Sequence, residues 1–164
     1  MLPPAGAAGH EALLLILGSF PGARSLAEQR YYAHPQNRFW RFLGAAAGLP
    51  LAEAAPAGRL GLLEQGGIAL WDVLAAADRV GSLDAAIRNP VANDIVGFAA
   101  TLPKLRAIAC NGATSFRLSL PWRARVAVPV LRLPSSSPAN ARTPAAVLER
   151  EWADTLRPYL SPPK

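Results

Sequence analysis

The sequence predicts an α/β protein in which a parallel sheet is sandwiched between layers of helices. Three observations carry that expectation. Four short segments (residues 12–17, 68–74, 105–110 and 126–133) are predominantly apolar without alternating, as expected of strands covered on both faces. Helical patterns separate them, as crossovers between parallel strands require. The length, 164 residues, is about that of one domain, and 51% apolar against 17% charged residues leaves little room for extended disorder.

The elements follow in order. Residues 1–9 (MLPPAGAAG) read as a loose tail, leaving 10–164 as one domain. The run at 12–17 is too short to cross a membrane, and residues 1–11 hold none of the Lys or Arg that would begin a secretory signal. A buried strand in a soluble, cytoplasmic protein is expected, with no membrane partner. Helices are expected at 38–47 and 58–65, a pair within 82–102, and another at 113–118. Pro129 cannot donate to a ladder, so the run at 126–133 suits an edge strand. The last helix starts at Thr143 as N-cap, has Pro144 in its first turn, and runs to about Leu156.

Composition limits the chemistry. A single cysteine, Cys110, excludes an internal disulfide and a four-thiolate cluster, and with only His10 and His34 beside it no metal site is expected. The net charge of +6 is unevenly spread. Lys104, Arg106, Arg117, Arg123, Arg125, Arg132 and Arg142 fall within residues 95–148, which contain no acid. That is either a phosphate-facing surface or a solvated face in an arginine- and alanine-rich sequence.

Three loops leave the carboxyl ends of the predicted strands and should gather at one sheet edge, where open α/β folds bind ligands. The first holds Gly18-Ser19-Phe20-Pro21-Gly22 and then Tyr32, His34 and Asn37. Tyr32 offers a flat face for a base, Asn37 an amide, and Arg24 or Arg38 a cation. Phe39 and Trp40 read as helix core, and Asn37 reads equally as the N-cap of the helix that follows. The second is Asn111-Gly112. The third, Pro134-Ser135-Ser136-Ser137-Pro138 through Arg142, has small hydroxyls and N–H groups that can cradle a phosphate.

These segments carry a family resemblance. The stretch Gly18-Ser-Phe-Pro-Gly22 through His34-Pro-Gln-Asn-Arg-Phe-Trp40 and the loop Leu133-Pro-Ser-Ser-Ser-Pro138 resemble the uracil-DNA glycosylase superfamily, most closely its hypoxanthine branch, and Trp71-Asp72-Val73 with residues 79–84 resembles its mismatch-specific members. The resemblance implies a three-layer α/β/α sandwich with a four-stranded parallel sheet. It implies a cofactor-free monomer that flips a deaminated base out of single- or double-stranded DNA and hydrolyses its glycosidic bond. It assigns catalysis to Asn37 and Ser19, base binding to Gly18, Phe20, Tyr32 and Asn111, and DNA binding to Pro21, Gly22, Ser135, Ser136, Ser137 and Arg142. Many members place Asp or Asn where this chain has Ser19, and the best-known uracil enzymes have a His in the later motif, which is absent here.

Asn37 is no strong base, so orienting water or holding the sugar or base is the work open to it. Lys104 and Lys164 are the only lysines, and neither belongs to these loops, so a Schiff-base lyase step is not expected. The rival readings are a uracil-preferring enzyme, a basic nucleic-acid-binding module without catalysis, and a serine hydrolase using Ser19 with His34.

Overall fold

The structure is a computed structural model that describes residues 1–78 and 88–160. Its strands are β1 (Ala5–Gly6), β2 (Leu14–Gly18), β3 (Ile68–Asp72), β4 (Leu74–Asp78), β5 (Arg88–Ala92), β6 (Ala107–Asn111) and β7 (Val130–Leu133). Its α-helices are α1 (Ala23–Glu28), α2 (Phe39–Ala47), α3 (Pro56–Gly66), α4 (Ile95–Ala100), α5 (Ala113–Leu118) and α6 (Ala145–Leu160).

The main sheet runs β1-β3-β2-β6-β7. The four expected strands are parallel to one another, but β1 pairs antiparallel with β3. The sheet is thus mixed and five-stranded, which corrects the expectation of a purely four-stranded parallel one. The source of β1 is the segment expected to be a loose tail. There Leu2 is 2% exposed, and Tyr31 Oη and Trp71 Nε1 donate to the carbonyls of Pro3 and Leu2 at 2.8 and 3.2 Å. A buried leucine and two aromatic donors dock a segment whose prolines and glycines gave no periodic signal.

Side chains alternate between two cores, one on each sheet face. Leu14 and Ile16 pack with Phe39 and Phe42 of α2 and Trp152 of α6, whereas Leu15 and Leu17 pack with Ile95, Leu102 and Trp122. Full burial of each such side chain stabilises the fold by about 1.5–3 kcal/mol. Helices on both faces explain why the strands are predominantly apolar without alternating.

Two boundaries moved for local reasons. The run at 68–74 is broken at Val73, whose carbonyl accepts from Asn93 N at 2.8 Å, so β4 turns away to form a separate antiparallel pair with β5. Residues 88–92 are therefore strand where a helical pair was expected. Of that pair α4 is present, and residues 82–87 lie outside the described residues. Residues 126–129 also stand outside β7. The Pro129 carbonyl accepts from Ile108 N at 3.0 Å, and the ladder proper begins at Val130. As Pro129 implied, β7 is an edge strand.

Gly18 is in register with Asp72, and Asn111 with Leu133. The parallel strands therefore end level, and everything that follows them emerges at one edge.

Candidate active site

A cavity of about 840 Å³ opens at that edge, within the range of small-molecule sites of about 300–1,000 Å³. Residues 18–22, Tyr32, Asn37, Asn111 and Ser135–Ser137 all line it. Arg142 does not. It is exposed, beside Thr143, which does.

The strand ends set the first wall. A side chain at Gly18 would meet Asp72 Oδ1 at 2.5 Å and Tyr32 Oη at 3.1 Å, so glycine lets both oxygens close over the backbone there. The Ala33 N–H donates to Ser25 Oγ at 3.1 Å, and Trp40 Nε1 donates to the Tyr32 carbonyl at 3.3 Å. Between these ties Tyr32 adopts φ 51°, and its ring stacks on Phe39. Tyr31, by contrast, is committed to the N-terminal segment. Burial, with Asp72 and Tyr32 nearby, pushes its phenol far above the usual range.

The second wall is a run of side-chain amides and hydroxyls. Asn111 Oδ1 accepts from Ser136 N at 3.0 Å, and its Nδ2 donates to Ser136 Oγ at 2.9 Å and Tyr32 Oη at 3.3 Å. Fully buried Ser136 donates in turn to Asn37 Oδ1 at 2.8 Å. The same oxygen takes the Phe39 N–H at 3.0 Å, at the start of α2. The N-cap of α2 is Arg38, not Asn37 as expected; Asn37, one residue earlier, ties down the first helical N–H and lines the cavity at once.

The third loop is stitched to itself. Ser135 Oγ accepts from Ser137 N and Ser137 Oγ from Ala139 N, at 3.1 and 3.2 Å, while Ser136 N is held by Asn111. Few N–H groups remain for a phosphate cradle. What the loop can present are the hydroxyl protons of Ser135 and Ser137. Arg38 is no ligand-facing cation either: one of its nitrogens donates to the carbonyls of Ser137 and Asn140, both at 2.9 Å, clamping this loop. Arg24 does line the cavity, at its rim, and pairs there with Glu28 at 2.8 Å.

The family model described as the uracil-DNA glycosylase superfamily matches residues 5–157, nearly the whole chain. This protein belongs to that superfamily. It is 39% identical over 144 residues to a protein of Methanosarcina acetivorans named hypoxanthine DNA glycosylase, covering 88% of this chain and 90% of the relative. A protein of the same name from Methanosarcina barkeri is 37% identical with the same coverage. A solution NMR structure from M. acetivorans, described as that of a uracil-DNA glycosylase, superposes with a TM-score of 0.83 at 37% identity, covering 96% of each chain. As a superfamily member the protein is a DNA glycosylase, a hydrolase of N-glycosyl bonds, and its substrate is DNA.

The roles of two residues escaped the sequence reading, though both are named in it. Asp72, quoted only within a family segment, is 4% exposed and brings a carboxylate to the cavity from inside an otherwise apolar run. The clamp by Arg38 spans 99 and 102 residues, a distance no local pattern encodes. The basic stretch is also less focused than its charge implies. Of its seven cations only Arg132 lines the cavity, and Arg123 is turned inward onto Ser119 Oγ and the Phe116 carbonyl. His34 is spoken for as well: its Nδ1 accepts from Gln36 N at 3.1 Å, and it makes no hydrogen bond to Ser19. No helix among the described residues is long and apolar enough to cross a membrane.

Proposed function

We propose that this DNA glycosylase removes hypoxanthine, acting as a cytoplasmic monomer. The nucleotide is flipped out of the helix, the bond from deoxyribose C1′ to the purine is hydrolysed, and an abasic site is left. The observation that carries this reading is the name shared by the two relatives at 37–39% identity, together with His34 and Asn37 of the His34-Pro35-Gln36-Asn37 segment on the cavity wall.

The flipped purine lies against the face of Tyr32 that Phe39 does not cover, with Gly18 and Phe20 closing on it. Asn37 acts at the reacting centre, and Ser19 lies beside the path of the attacking water. Asn111 serves the base through the residues it holds. Pro21, Gly22 and Arg142, with the hydroxyls of Ser135 and Ser137, hold the strand on either side. Flipping costs a few kcal/mol, least at a damaged or mismatched pair, and phosphate contacts offset part of it. Hydrolysis needs water and no cofactor. Among the described residues no lysine lines the cavity, which supports a monofunctional reaction without a Schiff base.

The test is purified protein on single- and double-stranded oligonucleotides carrying hypoxanthine, xanthine or uracil, with abasic sites revealed by alkali. Hypoxanthine released fastest, with no adduct trapped by borohydride, is the expected result. Faster release of uracil would make this a uracil-preferring enzyme instead. Binding without release of any base would mean a non-catalytic module.

A further inference from the structure

Two groups that can only donate fix the sense of every hydrogen bond from Asn111 to Asn37. The Ser136 N–H faces Asn111 Oδ1, which turns Asn111 Nδ2 toward Ser136 Oγ. The Phe39 N–H faces Asn37 Oδ1, so the Asn37 amide cannot be reversed. The contact between Ser136 Oγ and that same oxygen must then be Ser136 donating. A carbonyl oxygen has two lone pairs, and here both are occupied. Asn37 Nδ2 has no hydrogen-bond partner among the described residues, while Asn37 lines the cavity. The relay ends in an NH2 group offered to whatever fills that space.

We propose that Asn37 works as a hydrogen-bond donor to the departing base, through Nδ2, and that Ser136 is the positioning residue that holds it in this sense. The proposal rests on the reading of the protein as a glycosylase for a deaminated purine. Hypoxanthine offers O6, N7 and N3 as acceptors. When its glycosidic bond breaks, the electron pair goes to the purine. The oxygen of water bonds to C1′, and the proton that water loses neutralises the base directly or through solvent. A donor aimed at the base gains strength as that charge grows, so it lowers the barrier more than it tightens binding. Holding the water as an acceptor would need a spare lone pair on Oδ1. Donating to the water instead would draw electron density from the oxygen that must attack C1′, which raises the barrier rather than lowering it.

The isosteric Asn37→Asp variant separates the roles. Its carboxylate still accepts from Phe39 N–H and Ser136 but offers the base no proton. Turnover of hypoxanthine DNA at pH 7.5 is expected to fall by about 10²–10³-fold. It should recover as the pH drops and the carboxyl protonates, relative to a no-enzyme control. Adding Ser136→Ala removes one donor from that carboxylate and should move the recovery to higher pH. Turnover within tenfold of wild type for Asn37→Asp at pH 7.5, or a recovery that Ser136→Ala leaves in place, would overturn the proposal.

Side-chain amide exchange measured by NMR on the ¹⁵N-labelled protein reads the same polarity without any turnover. The Asn111 NH2 should be protected and the Asn37 NH2 should exchange quickly, and the reverse pattern overturns the proposal. If no DNA substrate is cleaved by the wild type, the reading of the function fails, while this exchange test still decides the polarity of the relay; a wild type that cleaves with the reverse exchange pattern sinks the inference alone.

Discussion

The ring of Tyr32 lies on that of Phe39 with 3.7 Å between centroids and 12° between planes, on a backbone held at φ 51°. A left-handed non-glycine residue costs on the order of 1–2 kcal/mol, and strain of this kind persists where the surroundings over-determine it. Here the Trp40 and Phe39 side chains and the Ser25–Ala33 tie do so. The aromatic face is set before any base arrives.

Stacking needs the ring and not its hydroxyl. Tyr32→Phe is expected to keep excision within about tenfold, whereas Tyr32→Ala should weaken capture of the flipped base by about 1–3 kcal/mol, read in single-turnover rates. Equal losses in the two variants would move the role to Oη and its contact with Asn111.

Asn37→Ala removes both the acceptor for the first N–H of α2 and the NH2 group. It should cost about 1 kcal/mol of stability by thermal unfolding and about 10²–10³-fold in turnover. Unchanged turnover would take Asn37 out of the reaction.

Arg38 acts at a distance. Its Nε is buried without a hydrogen bond, a cost accepted while the other end holds the third loop in place. Arg38→Met should free residues 134–142 and speed tryptic cleavage after Arg142. It should also raise the KM for DNA more than it lowers kcat.

The cations of residues 95–148 should divide by position. Arg132→Ala is expected to lower the slope of log affinity against log salt by about one, the signature of a lost phosphate contact. Arg123→Ala should leave the slope alone and lower the melting temperature, since that side chain stacks 3.7 Å above the Phe116 ring.

Burial pushes the Cys110 thiol up to about 11, and Tyr31 is raised in the same sense. Both are neutral in the folded protein. Their contribution to stability is therefore full below the unfolded thiol value of about 8.5 and is lost progressively above it. Melting temperature should be flat from about pH 7 to 8 and decline above about pH 9. Cys110→Ala should soften the decline, and a thiol reagent at pH 8 should react only after unfolding.

Much of this was legible because burial on two faces leaves its mark on composition. The runs that became β2, β3, β6 and β7 are predominantly apolar without alternating, and the polar loops after them could only meet at one edge. The antiparallel pieces were less visible. Residues 74–78, Leu-Ala-Ala-Ala-Asp, carry no alternation, and β1 is two residues of an Ala-Gly segment held by aromatic side chains from far along the chain. At the cavity, residue types in the loops named much of the lining. The direction of each hydrogen bond depends on which backbone N–H meets which amide, and sequence does not record that.

Asn111 precedes Gly112, the pairing most open to chemical ageing, in which the glycine nitrogen attacks the asparagine side chain and ammonia is lost. In the fold that nitrogen is held on the Leu133 carbonyl at 2.9 Å, and Gly112 sits at φ 96° with Ser135 close above it. The side chain under threat is pinned by Ser136. The folded enzyme thus shelters its own amide from slow hydrolysis, and storage in a partly unfolded state would expose it. The acid formed, aspartate or isoaspartate, would lack the NH2 group that donates to Ser136 and Tyr32, and the ties that organise this wall of the cavity would be lost.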